Sequence, residues 1–129
     1  MNEDDIVADA SAILAALKNE PFSNVDPRSL VGGTVSAVNV CEVLTKLHDD
    51  GLTDSQAHAA ISAMDLRVIP FDEPQASAAA RMRSTTRHDG LSLGDRACLA
   101  LGSRLGCPVV TADRVWAGLD VGVEIVVIR

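Results

Sequence analysis

The stretch 91–116, LSLGDRACLALGSRLGCPVVTADRVW, decides how this chain is read. Ser92 and Asp95 are spaced as a helix cap and the third helical residue that answers it. Residues 93–105 are apolar over most of a helical circumference, which predicts a helix covered on more than one side. Gly106 is placed to stop it, and Val109–Thr111 then reads as a short buried strand. Two acids sit where charge is expensive: Asp95 in the first helical turn and Asp113 just past the strand. The nearest positive residues along the chain are Arg96 and Arg114, each one position on.

The same alternation continues outward. Ile6–Ala8 is expected to be a strand closed by Asp9, after a polar start at 1–5. Ser11 then opens a helix carrying Ile13, Leu14 and Leu17. Residues 19–33 are irregular, with Pro21, Pro27 and a Gly32–Gly33 break. Thr34–Val35 is a weak second strand. Ser36 is placed to cap a helix to about Asp49, with Val40, Val43, Leu44 and Leu47 as its core face. Thr53 and Gln56 form a capping-box pair for a helix ending near Met64. Leu66–Phe71 is a strand, and Pro74 suits the first position of an Ala-rich helix to about His88. Asp89–Gly90 is a turn, Arg114–Leu119 a short helix and Val123–Ile128 the last strand. Strands alternating with helices predict an α/β protein whose parallel sheet has helices on both faces. Ligands of such sheets bind beyond the carboxyl ends of the strands, where Asp9 and Asp113 both fall.

Bulk properties narrow the class. The chain has 129 residues, which favours one domain spanning 1–129. Hydrophobic residues make up 47% and aromatic residues 2%, with no Tyr, so the core is expected to be Ala, Val, Leu and Ile. So few aromatics exclude a base-stacking platform. A formal charge of −7 excludes a broad basic groove for nucleic acid. It does not exclude acids that hold a cation, which would invert the local sign. Cys41, Cys98 and Cys107 match no zinc spacing and are expected to be reduced core thiols. There is no leader-like segment and no apolar run of about 18 residues, which points to a cytoplasmic chain with no membrane span.

Four acids interrupt apolar segments: Asp9, Glu42, Asp95 and Asp113. Each has a plainer reading. Asp9 suits a helix cap, and Asp95 suits the partner of the Ser92 cap. Asp113 suits the cap of the short helix that follows. Glu42 lies with Asn39, Lys46 and Asp49 at spacings of three and four, consistent with one wet stripe and a Glu42–Lys46 pair. The same spacing lets the Asn39 amide orient the Glu42 carboxylate. Gathered together, such carboxylates repel, and their pKa values rise unless a cation neutralises them. An all-oxygen set suits Mg²⁺ or Mn²⁺ and not zinc. His48, His58 and His88 fall at helix ends or exposed faces, which argues against a His site.

At these residues the chain resembles the PIN domain, and within it the VapC-type toxins of type II toxin–antitoxin pairs. The marks are VADASAILAAL around Asp9, VNVCEVLTKL around Glu42, GLSLGDRACLALG around Asp95 and VVTADRVW around Asp113, in that order over nearly the whole chain. The resemblance implies a three-layer α/β/α sandwich with a central parallel sheet. It implies an endoribonuclease dependent on Mg²⁺ or Mn²⁺, with Asp9, Glu42, Asp95 and Asp113 as the acidic quartet. Ser11, Asn39 and Thr111 match its supporting polar residues. It further implies a cognate antitoxin protein and a homodimer. Arg81, Arg83, Arg87, His88 and Arg96 form a local basic span. It reads either as a solvated helix face or as a rim, with Arg87 and Arg96 as candidate substrate-binding residues, for RNA phosphates or an acidic antitoxin segment.

Two other classes remain open from the sequence. A phosphoryl-accepting receiver also has an acidic edge on a parallel sheet. It needs paired acids after the first strand and a late Lys, whereas here Glu3, Asp4 and Asp5 precede the strand and the lysines are Lys18 and Lys46. A non-catalytic partner-binding domain would use the Ala-rich helices at 11–19 and 54–64 as a groove.

Overall fold

A computed structural model describes residues 5–129. The polar start expected at 1–5 lies outside the described residues except for Asp5. The elements run β1 (Val7–Ala8), α1 (Ala10–Leu17), a 3-10 turn (Pro27–Leu30), β2 (Thr34–Ser36), α2 (Ala37–Asp49) and α3 (Asp54–Ser62). There follow β3 (Arg67–Ile69), α4 (Glu73–Thr86), a 3-10 turn (Arg87–Asp89), α5 (Leu93–Leu105), β4 (Val109–Thr111), a 3-10 turn (Arg114–Gly118) and β5 (Ile125–Val127). The five strands form one sheet in the order β3-β2-β1-β4-β5. Every pairing is parallel. This is the expected three-layer α/β/α sandwich.

The order explains the layers. Crossovers from β1 to β2 and from β2 to β3 travel one way across the sheet, and the β3-to-β4 crossover returns. Right-handed connections therefore place α1–α3 on one face and α4–α5 on the other. Side chains of the central strands alternate accordingly. Ala8 and Val110 pack with Ile13, Val35, Val43 and Leu47 on the first face. Val7 and Val109 pack with Cys98, Leu99, Leu101 and Trp116 on the second.

Three caps are those the sequence predicts, while α1 starts at Ala10, one residue before the expected Ser11. Ser36 Oγ accepts from Val38 N, and Thr53 and Gln56 make both bonds of their capping box. Ser92 and Asp95 do the same for α5. The α4 helix starts one residue earlier than expected, because Asp72 caps it through Gln75 N and places Pro74 second. Strands β3 and β5 are shorter than expected, since parallel pairing covers only three residues of each. Helix α5 is the most enclosed: Gly94 and Ala97–Gly102 are buried. Gly102 permits this, because a Cβ there would run into Val109 Cγ2 and come within 3.3 Å of the Cys107 carbonyl.

Two expectations about α2 are corrected. Cys98 and Cys107 are buried, but Cys41 is exposed. The buried stripe of α2 is Asn39, Val43 and Leu47, and position 41 lies on the opposite side of a helix with 3.6 residues per turn. Asn39 is accordingly part of the interior and not of a wet stripe. Among the described residues no helix is long and apolar enough to cross a membrane.

Trp116 is fully buried, and among the described residues its Nε1 has no hydrogen-bond partner. Trp116→Ala is expected to cost about 3–5 kcal/mol in urea unfolding. Trp116→Phe should cost much less, because it keeps most of the ring while deleting an unsatisfied donor.

Candidate functional site

The sheet order changes direction at β1, which lies between β2 and β4. A crevice opens at such a switch point beyond the carboxyl ends of the strands. Asp9 follows β1 there; beside it Thr111 ends β4 and Asp113 caps the 3-10 turn that follows. The first turns of α2 and α5 bring Asn39, Glu42 and Asp95 to the same edge. Asn39 spans the two helices: its Nδ2 donates to Glu42 Oε1 at 2.7 Å and to the Gly94 carbonyl at 3.1 Å.

Asp9 occupies the cap position of α1, yet its side chain makes no cap hydrogen bond. Its Oδ2 instead accepts from Ser11 Oγ at 2.5 Å and from Thr111 Oγ1 at 2.9 Å. Ala112 N donates to Ser11 Oγ and Asp113 N to Thr111 Oγ1, and the two hydroxyls lie 3.2 Å apart, so they form one network around Asp9; an ionised carboxylate can only accept, which turns both hydroxyls towards it. A carboxylate that is 4% exposed is thus held by two oriented donors on one oxygen.

The other three acids repeat the pattern. Glu42 receives the Asn39 amide on Oε1. Asp95 receives Ser92 N on Oδ2 at 2.9 Å, and Asp113 receives Val115 N on Oδ1 at 3.0 Å. The plainer readings of Asp95 and Asp113 as helix caps are therefore true of one oxygen each. Among the described residues no hydrogen bond reaches the second oxygen of any of the four.

Nor does a protein cation neutralise them. None of the four appears in an ion pair among the described residues. Arg96 turns away and donates from Nη1 to the Ala79 carbonyl, and Arg114 donates from Nε to the Arg129 carbonyl. Arg87, like Arg81, Arg83 and His88, is exposed.

Burial is the main cause that pushes the Asp9 carboxyl up from 3.8 to about 6, against the two hydroxyl bonds that lower it. The charges of Asp95 and Glu42 add to the rise, which places those two near Asp9; Asp113 is tied to it through Thr111. The charges of Asp9, Asp95 and Glu42, after burial, raise the Cys98 thiol well above its usual value, so this core cysteine stays protonated.

Among the described residues, no three carboxylate, imidazole or thiol groups stand close enough to grip an ion as placed. The donor set nevertheless fits a hard cation, since every open atom is a carboxylate oxygen. Mg²⁺ characteristically keeps several waters and uses only one or two carboxylates directly. Gly94 is the residue here that sequence reasoning passed over; a glycine at a helical position gave no signal by itself.

The PIN domain family model matches residues 6–121. With this coverage, and with this fold and acidic edge, the chain belongs to the PIN domain family. No curated protein matches it. Solved structures of similar fold include DNA-bound VapBC from Salmonella typhimurium, with a TM-score of 0.74 at 18% identity over 95% of this chain and 96% of that one. VapBC-5 from Mycobacterium tuberculosis, of the VapBC family of toxin–antitoxin systems, gives 0.64 at 23% over 95% and 96%. VapC20 from the same organism, a Sarcin-Ricin loop cleaving toxin, gives 0.66 at 19% over 92% and 98%. At these identities the likeness is one of fold.

The Asp9 shift has a definite sign. Its folded pKa, about 6, lies above the ordinary 3.8, so the folded chain holds this proton more tightly than the unfolded chain. Stability from this group therefore falls as pH rises from about 4 through about 6, by roughly 3 kcal/mol in all at about 1.4 kcal/mol per pKa unit. In EDTA, the melting temperature of Asp9→Asn should gain several degrees on that of the unmodified chain between pH 5 and pH 7.5. Parallel melting curves over that range would locate the shift elsewhere.

Proposed function

We propose that this chain is a divalent-metal-dependent endoribonuclease and the toxin of a toxin–antitoxin pair. One observation carries the reading: at one sheet edge Asp9, Glu42, Asp95 and Asp113 each spend one oxygen on an internal donor and, among the described residues, keep the other open with no ion-pair partner. Burial, with a smaller contribution from the charges of Asp95 and Glu42, disfavours ionised Asp9, a cost that a bound cation would offset.

Asp9, Glu42, Asp95 and Asp113 would hold Mg²⁺ or Mn²⁺, directly or through water. When bound, the ion supplies charge neutralisation, polarisation of the scissile phosphate and a water acidic enough to attack phosphorus in line. The protein's own part is positional. Ser11 and Thr111 fix the plane of the Asp9 carboxylate, and Asn39 fixes that of Glu42, so the open oxygens are held in place before the ion arrives. With its pKa raised to about 6 by burial, Asp9 keeps part of its proton below neutral pH, and a cation binding there would displace it.

The substrate side is weakly basic and local. Exposed Arg87, just after α4, would supply positive potential along the approach of an RNA backbone, whereas Arg96 is turned onto the Ala79 carbonyl. The same span suits an acidic segment of an antitoxin. Support for RNA and for an antitoxin comes from the fold neighbours, one described as a Sarcin-Ricin loop cleaving toxin and others as VapBC complexes. A single cytoplasmic domain acting as a homodimer completes the reading.

Purified protein incubated with total RNA should cleave it in Mn²⁺ or Mg²⁺ and stop when EDTA is added. Asp9→Asn and Asp95→Asn should fold and lose cleavage by more than the roughly 10–100-fold that supporting residues of metal sites cost. Cleavage that survives chelation, or an active Asp9→Asn protein, would overturn the proposal.

A further inference from the structure

We infer that Gly94 is a positioning residue: by lacking a side chain it provides the seat in which the Glu42 carboxylate stands beside Asp95, and so sets the affinity for the cation. The inference rests on the metal-dependent reading above.

A Cβ built on Gly94 would lie 2.5 Å from both Cδ and Oε1 of Glu42, and would also overlap Oε2. The whole carboxylate therefore occupies the volume that any other residue at 94 would need. A flexible glutamate normally swings aside from such a contact, but this one is tied. Asn39, fully buried, holds Glu42 Oε1 with the same Nδ2 that donates to the Gly94 carbonyl. One amide thus binds the carboxylate and the backbone of its seat together. Helix α5 is not free to retreat either. Gly94 is itself buried, and two turns on, Gly102 lies against Val109 and the Cys107 carbonyl.

Backbone conformation does not account for the glycine. Gly94 is not among the positive-φ glycines and sits within a regular helix that Ser92 caps. In a helix Ala is favoured over Gly, because Gly loses more freedom on ordering. Helix propensity alone would favour alanine at this position. What glycine adds is space, and the structure fills that space with Glu42.

The test is a double-mutant cycle on the full chain: the unmodified protein, Gly94→Ala, Glu42→Ala and the double variant. Mn²⁺ affinity is read by calorimetric titration, and melting temperature is read in EDTA. Gly94→Ala is expected to weaken Mn²⁺ binding about as much as Glu42→Ala, on the order of 10-fold, with the double variant no weaker than either single. In EDTA, Gly94→Ala should lower the melting temperature when Glu42 is present and raise it when Glu42 is absent. Glu42→Asp, one methylene shorter, should restore part of the Mn²⁺ affinity to Gly94→Ala. Should Gly94→Ala alone fail to fold, the double variant must still fold, since the clash is gone.

Gly94→Ala binding Mn²⁺ like the unmodified protein, while Glu42→Ala binds it weakly, would overturn this inference alone. So would an equal loss of melting temperature from Gly94→Ala in both backgrounds, or a double variant that does not fold. Unchanged Mn²⁺ affinity in Glu42→Ala would remove Glu42 from the cation site and take this inference with it.

Discussion

A buried carboxylate at the junction of β1 and β4 is the constraint on which this structure turns. Taking Asp9 out of water disfavours its charged form, and the surroundings return only part of that cost. What they return is specific. Two hydroxyls converge on one oxygen, and each also accepts a backbone N–H from the turn after β4. That turn can stand beside Asp9 only because β1 and β4 are neighbours in a parallel sheet. The sheet order, the end of β4 and the ionisation of one side chain are therefore a single linked arrangement.

Helix α5 is the second half of it. A core with so few rings has to gain its density from close backbone approach, and α5 approaches on two sides. Gly102 brings it down onto β4, and Gly94 brings its first turn against α2. The consequence reaches the edge of the sheet. The start of α5 carries Asp95, so the packing that encloses the helix also delivers a carboxylate to the neighbourhood of Asp9. Small residues here do two jobs, filling the interior and fixing how near the acids come.

The caps show why structural and chemical readings of an acid need not compete. A carboxylate has two oxygens. Asp95 and Asp113 each give one to a backbone N–H at a helix start and keep one open. The structural bond holds the side chain still, which is what a ligand or base requires of its support. The negative charge of the chain fits the same picture, since its purpose at this edge is served locally and not by general attraction to an anionic partner.

The order of strands and helices was legible in the sequence, because hydrophobic period and cap chemistry are local: Ser36, Thr53 with Gln56, and Ser92 with Asp95 act within one turn. The family was legible too, from four short acid-bearing segments in a fixed order. Element ends were less so; Asp72 starts α4 before Pro74, and the sheet pairs only three residues of β3 and of β5. The outward placement of Cys41 and the burial of Asn39 depended on which side of α2 met α1 and α5, which no single helix records. The role inferred for Gly94 could not be read at all, because an absent side chain has meaning only against what fills its place. Local sequence chose the elements and named the acids; tertiary packing decided how near those acids come to one another, since distances across a fold are set by the volumes of residues far apart in the chain.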